Sequence, residues 1–148
     1  MSVEKNVEMM KRWFEEVWNE GRKETIFELL AEDAVGHGQL EDGSELRGPA
    51  GFVPLFERIR GAFPDIKMVV EDAFGVEDQV VVRWSATMTH RGDHLGVPAS
   101  GRTVRLGGVT IVRIRNGQVV EGWDNWDQLG MLRQIGAYGS PEKLLKSA

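Results

Sequence analysis

Hydrophobic and polar positions follow two different periods along the chain. Before Pro64, apolar residues recur at spacings of three and four, which is typical of amphipathic helices. The first helix carries an apolar stripe made of Val7, Met10, Phe14, Val17 and Trp18. A second helix is predicted over about 22–31, and a third begins at Gly48-Pro49 and ends at Pro64. Residues 34–48 are expected to form a loop or a short strand.

Beyond Pro64 the period changes to two, which is the period of half-buried strands. Strands are predicted over residues 67–74, 80–89, 103–115 and 118–126. Asn116-Gly117, between the last two strands, favours the type I′ turn of a tight antiparallel hairpin. A short closing helix has Leu129, Leu132 and Ile135 as its apolar positions. Helices followed by an antiparallel sheet predict a single α+β domain over residues 1–148, with the helices packed on one face of the sheet.

Charge and composition narrow the possible functions. The chain has 148 residues and a formal net charge of −5, whereas nucleic-acid binding requires a basic surface. It contains no run of about 18 apolar residues that would predict a membrane span. The absence of cysteine excludes a disulfide framework, a thiolate metal site and a cysteine nucleophile. We therefore expect no nucleic-acid or membrane partner and a cytoplasmic location.

Candidate chemistry is concentrated near the end of the last predicted strand. In a strand, one face takes Glu121, Trp123, Asn125 and Asp127, and the other face takes Asp124 and Trp126. An aromatic ring beside a carboxylate dehydrates it, raises its pKa and makes it a better general base. The alternative interpretation is that the tryptophans belong to the core and the acids pair with Arg83 or Arg113.

The three histidines give weaker signals. His90 and His94 are four residues apart, but they lie at a strand end and in a glycine-rich loop, where this spacing does not predict a metal site. His37 lies between two glycines in a segment that could reach the mouth of a cavity. Neither a nucleophile-elbow motif nor a phosphate-binding loop is present in the sequence.

Short segments spread over about residues 4–136 resemble, in their order and spacing, the SnoaL-like polyketide cyclase family of the NTF2-like superfamily. They are 14–21, 29–35, 48–49, 63–65, 83–92, 95–102, 121–123, 126–130 and 134–136. The resemblance implies a cone-shaped α+β barrel, in which three N-terminal helices line a strongly curved antiparallel sheet. It also implies a homodimer and a deep apolar pocket that works without a metal or an organic cofactor.

The resemblance further implies an aldol-type ring closure on a hydrophobic, polyketide-like small molecule. Asp127 matches the catalytic aspartate near the end of the final strand, although Asp124 would take its place if a bulge shifts the register. His37, His90 or the Trp123 indole would stabilise the enolate oxygen. The residues expected to contact the substrate are Trp18, Phe52, Phe56, Trp84, Met88, Arg113 and Trp123.

Other functions are known on this scaffold, because one fold hosts many activities. A non-catalytic module that binds hydrophobic ligands would need only the pocket and would tolerate neutralisation of Asp127. A dehydratase is a further alternative. An epoxide hydrolase would need an acid–arginine–acid arrangement, for which Arg113 with Asp127 and Glu121 is the candidate set.

Overall fold

The computed structural model describes residues 2–40 and 42–137 and confirms the α+β class. The helices are α1 (Val3–Trp13), α2 (Lys23–Leu29), α3 (Gly48–Ala62) and α4 (Gln128–Gln134), and a π-helical segment (Phe14–Asn19) extends α1. The strands are β1 (Leu30–His37), β2 (Leu46–Arg47), β3 (Lys67–Val76), β4 (Gln79–Thr89), β5 (Thr103–Arg115) and β6 (Gln118–Trp126). Among the described residues, no helix is long and apolar enough to cross a membrane.

The beginning of α1 is set by a local side-chain cap. The Ser2 hydroxyl oxygen accepts a hydrogen bond from the backbone N–H of Lys5 at 3.1 Å. At the other end, the backbone N–H of Glu20 donates to the carbonyl of Glu15 at 2.9 Å, five residues back. This wider turn shifts the apolar stripe, so that Val17 is fully buried and Trp18 lies at the edge of the core.

The six strands form one sheet in the order β2-β1-β6-β5-β4-β3. Neighbouring strands are antiparallel except β1 and β6, which run parallel. The sheet is therefore mixed, whereas an antiparallel sheet was predicted. The difference arises at β1, which begins inside the predicted second helix and continues into the predicted loop. Its residues do not alternate between buried and exposed, so its strand character depends on pairing with β6.

The central strands match their predicted positions because their local signals are strong. Asn116 and Gly117 have φ values of 51° and 76°, as a type I′ turn requires, and Arg115 pairs with Gln118 across the hairpin. The inward positions of β4 are all buried against the helices: Val80, Val82, Trp84, Ala86 and Met88. These inward side chains belong to the hydrophobic core.

Candidate active site

A cavity of about 630 Å³, including the space at its mouth, lies between the helices and the inner face of the sheet. The helical side supplies Phe14, Trp18, Phe52, Leu55 and Ile59, and the sheet supplies Met68, Trp84, Ala86, Met88, Leu106 and Trp126. The wall is otherwise apolar, and among the described residues the polar side chains that line it, apart from the tryptophan indoles, are those of Gln39, Thr110 and Asp124.

A chain of hydrogen bonds leads across three strands to Asp124. The Trp84 indole Nε1 on β4 donates to Thr110 Oγ1 on β5 at 3.0 Å, and the Thr110 hydroxyl donates to Asp124 Oδ1 on β6. Thr110 and Asp124 are direct partners in the β5–β6 register. Because an indole nitrogen can only donate, Thr110 is fixed as an acceptor from Trp84 and as a donor to the carboxylate.

The second carboxylate oxygen is held from the segment after β1, the strand that flanks β6 on the side away from β5. Gln39, just after β1, donates from Nε2 to Asp124 Oδ2 at 2.6 Å. Gly38 makes this approach possible, because its φ is +83° and an added Cβ would lie 2.1 Å from the backbone oxygen of Asp124. The glycine turn therefore brings the Gln39 amide onto the carboxylate.

The environment of Asp124 changes its acidity. Burial of the carboxyl group raises its pKa, whereas the hydrogen bonds from Thr110 and Gln39 oppose this effect by stabilising the charged form. The net direction is upward. Asp124 is consequently a stronger base than an exposed aspartate, and two donors hold it in one orientation.

The absence of a side chain at Gly108 allows the Trp84 indole to reach Thr110. Gly108 lies between Trp84 and Trp126 in the register of three adjacent strands. A Cβ at position 108 would lie 2.4 Å from Cζ2 of the Trp84 ring and 2.9 Å from the backbone oxygen of Asn125. The glycine therefore leaves the space that the indole occupies.

Asp127, the aspartate predicted to be catalytic, lies outside the described cavity wall. Strand β6 ends at Trp126, and Asp127 becomes the N-cap of α4, where its side chain accepts from the backbone N–H of Gly130 at 2.8 Å. Asp127 is exposed, and the cavity wall is formed instead by Asp124 and Trp126 on the inner face of β6. Asp124 and Trp126 thus share the inner face of β6, whereas Asp127 lies beyond the end of the strand.

Three of the predicted site residues lie together on the outer face of the sheet. The His37 ring stacks on Trp123 with 5.5 Å between centroids, and its Nε2 lies 2.8 Å from Glu121 Oε2. The Arg113 guanidinium lies 6.0 Å from the centroid of the Trp123 ring and contacts Asp78. His37, Arg113 and Trp123 are therefore separated from the cavity by the sheet.

His90 lies inside the protein, where its ring binds the loop that follows β4. Its ring is fully buried beside Phe63, and Nδ1 accepts from the backbone N–H of Ser100 at 3.0 Å. This contact attaches the loop after β4 to the end of that strand. His94 is exposed, and across residues 2–40 and 42–137 no three His, Asp or Glu side chains are grouped closely enough to hold a metal ion.

The predicted substrate contacts divide between the cavity and the structure around it. Four of them line the cavity: Trp18, Phe52, Trp84 and Met88. Phe56 packs behind Trp18, with 6.2 Å between ring centroids. Sequence reasoning missed Thr110 and Gln39. Thr110 could have been found as a polar residue at an inward, otherwise apolar position of β5, whereas Gln39 gave no such signal.

Comparisons with known proteins agree with this architecture. A family model described as SnoaL-like polyketide cyclase matches residues 8–135. The chain is 28% identical over 133 residues to the aklanonic acid methyl ester cyclase DauD of Streptomyces sp. (strain C5), covering 88% of this chain and 81% of that protein. The family resemblance detected in the sequence is thereby confirmed.

Two solved structures show the same fold at similar identity. IdmH, a candidate polyketide cyclase of Streptomyces antibioticus, has a TM-score of 0.75 at 30% identity, covering 88% of this chain and 98% of its own. AclR, a candidate hydroxylase of Streptomyces galilaeus, has a TM-score of 0.81 at 27% identity, covering 99% of this chain and 95% of its own. The matched length, the fold and the apolar cavity together lead to one conclusion: the chain belongs to the SnoaL-like polyketide cyclase family.

Proposed function

We propose that the protein closes a ring in a hydrophobic, polyketide-derived molecule by an intramolecular aldol-type condensation, with Asp124 as the general acid–base. One observation carries the proposal: among the described residues that line the cavity, Asp124 alone has an ionisable side chain, and burial raises its pKa. The cyclase named among the relatives supports the reaction class.

The reaction needs one proton removed and one returned. The Asp124 carboxylate takes a proton from a carbon between two carbonyl groups, and the electron pair left behind delocalises as an enolate. The enolate carbon then forms a bond to a carbonyl carbon of the same molecule. The resulting alkoxide takes the proton back from Asp124, so that the carboxylate is regenerated. The hydrogen bonds from Thr110 and Gln39 hold the carboxylate in place through both transfers.

The enolate oxygen needs a donor within the cavity. His37 and Trp123 lie on the other side of the sheet, and His90 is not among the described residues that line the cavity. Trp18 and Trp126 line the cavity, and their indole N–H groups donate to no other side chain within the described part of the chain. We assign the stabilising role to these indoles, with Trp126 nearer to Asp124 along β6.

The apolar wall supplies the rest of the rate enhancement. Ring closure joins two parts of one flexible molecule, and a cavity that holds the molecule folded raises their effective concentration. An apolar lining also favours a substrate with extended ring systems. It excludes water that would otherwise solvate the carbonyl groups of the substrate before they react. The ester in the name of DauD supports a polyketide methyl ester as the substrate class.

A matched pair of variants tests the assignment of Asp124. With aklanonic acid methyl ester as the test substrate, Asp124→Asn is expected to lower kcat/KM by about 10²- to 10⁴-fold, while the Kd rises by no more than about tenfold. Asp127→Asn keeps a capping side chain at α4 and is expected to retain turnover. Loss of turnover in the Asp127 variant alone would return the catalytic role to Asp127.

The alternatives differ from this proposal in measurable ways. A non-catalytic ligand-binding module would bind the same molecule without converting it, so the native protein would show no more turnover than Asp124→Asn. A dehydratase would release water from its substrate, which mass spectrometry of the product detects. The arrangement considered for an epoxide hydrolase is not assembled in the cavity, because Arg113 and Glu121 face outward, 3.9 Å apart, and Asp127 caps α4.

We further propose a homodimer. Support comes from the edge strand β3, where Phe74 and Val76 are 53% and 66% exposed. Light scattering coupled to size-exclusion chromatography gives the mass directly, and Phe74→Ser is expected to favour the monomer. A native monomer would refute the proposal. The cytoplasmic location and the independence from cofactors stay predictions.

A further inference from the structure

A second cavity lies beside the first, between β1, α1 and α3. It has a volume of about 490 Å³, including the space at its mouth, and its wall is mostly apolar, with Met10, Trp13, Leu30, Ala34 and Val119 among its residues. Gln39, Phe52 and Asp124 line both cavities. The two spaces are thus neighbours, and these three residues form the boundary between them.

The Gln39 amide at this boundary is incompletely satisfied. Gln39 is 9% exposed, and its Nε2 donates to Asp124, but its Oε1 is buried without a hydrogen-bond partner. A buried amide oxygen without a donor destabilises the structure, because it has lost its hydrogen bonds to water. A ligand that supplies a donor would restore a hydrogen bond on binding.

The position of the amide relates this oxygen to the second cavity. A Cβ added to Gly36, which lines the second cavity only, would lie 3.0 Å from Gln39 Oε1 and 3.1 Å from Gln39 Nε2. The amide of Gln39 therefore packs against Gly36, at the wall of the second cavity. Because Nε2 is committed to Asp124, Oε1 is the atom that remains available for a ligand.

We propose that the second cavity is a binding subsite for a hydroxyl-bearing aromatic ring, whose hydroxyl donates to Gln39 Oε1. The subsite rests on the proposed function in one respect: Asp124 borders both cavities, so one substrate would place its reacting carbon in the first cavity and its hydroxylated ring in the second. Gln39 then positions both the carboxylate and the substrate.

The hydrogen-bond chain predicts how the preference of the subsite for a hydroxyl-bearing ring can be removed by a substitution. Trp84 fixes Thr110 as a donor, so the new amide in Asp124→Asn must turn its oxygen toward Thr110 and its nitrogen toward Gln39. The Gln39 amide then rotates to accept from that nitrogen, and its own N–H groups face the second cavity. The subsite would change from an acceptor to a donor and would lose its preference for a hydroxyl hydrogen.

Two probes, one with a hydroxyl group and one in which a methyl group replaces the hydroxyl hydrogen, test the subsite by calorimetry. 2-Naphthol is expected to bind the native protein about tenfold more tightly than 2-methoxynaphthalene, which corresponds to one neutral hydrogen bond. In Gln39→Met, which keeps the side-chain length, the ratio of the affinities for 2-naphthol and 2-methoxynaphthalene is expected to fall to about one. The affinity for 2-methoxynaphthalene is expected to change by less than about threefold. Asp124→Asn is expected to abolish the ratio as well.

A second pair of variants locates the hydroxyl without altering Gln39. Ala34→Val narrows the second cavity and is expected to reduce the ratio, whereas Ala86→Val narrows the first cavity and is expected to weaken both probes while preserving the ratio. A native ratio near one, or a ratio that survives Gln39→Met and Ala34→Val, would overturn the subsite. These measurements need no turnover, so a native ratio of ten without ring closure would refute the proposed function alone.

Discussion

Thr110 joins the fold to the candidate active site, and Thr110→Val removes its hydroxyl while preserving its shape. The side chain is 8% exposed, accepts from the Trp84 indole and donates to the Asp124 carboxylate. The substitution leaves the indole N–H of Trp84, itself 6% exposed, without its acceptor. It also removes one of the two side-chain donors that stabilise the charge on Asp124.

The expected loss of stability is about 2–4 kcal/mol. A hydrogen bond to a charged group contributes about 1.5–3 kcal/mol, and a buried donor without a partner costs about 1–3 kcal/mol, partly offset by relaxation around the new methyl group. With an unfolding slope of about 2 kcal/mol per molar urea, the midpoint at pH 7 should decrease by about 1–2 M. Thr87→Val, at an exposed position on β4, is the matched control and should change stability by less than about 0.5 kcal/mol.

The same substitution has a kinetic consequence. Because the Thr110 hydroxyl lowers the pKa of Asp124, its removal should raise that pKa further and move the acid limb of the kcat/KM profile to higher pH. A decrease in stability below about 0.5 kcal/mol together with an unchanged pH profile would contradict the role assigned to the hydrogen-bond chain.

Other substitutions test neighbouring parts of the site. Gly108→Ala would place a Cβ 2.4 Å from the Trp84 ring and should cost about 1–3 kcal/mol in thermal unfolding, whereas Gly107→Ala, at an exposed position, serves as its control. Asp127→Ala should lower stability by about 1 kcal/mol through loss of the α4 cap and leave kcat unchanged; a large decrease in kcat would contradict its structural role. Burial raises the pKa of Asp124, so kcat/KM should fall as the pH decreases through a value above that of an exposed aspartate. For the same reason the folded state binds this proton more tightly than the unfolded state. Stability should therefore decrease as the pH rises through this range, and Asp124→Asn should remove that dependence.

Local patterns in the sequence were sufficient for most of the sheet. The period-two segments predict β5 and β6 with the boundaries that the structure has, and Asn116-Gly117 specifies the turn between them. These predictions succeed because alternation and turn chemistry act over a few neighbouring residues. The family, and with it the expectation of a cavity above the sheet, also followed from the sequence.

The tertiary structure decided which acid occupies that cavity. Asp124 and Asp127 are three residues apart, and both are compatible with a strand end or a helix start. Only the point where β6 stops makes Asp127 the α4 cap, and only the packing around the inner face desolvates the carboxyl group of the half-buried Asp124. Gln39 depends even more on long-range structure, because it reaches Asp124 through a parallel pairing of β1 with β6, more than 80 residues apart. The sequence by itself determined the scaffold and its aromatic wall, whereas desolvation and contacts between distant strands determined the acidity and orientation of the carboxylate.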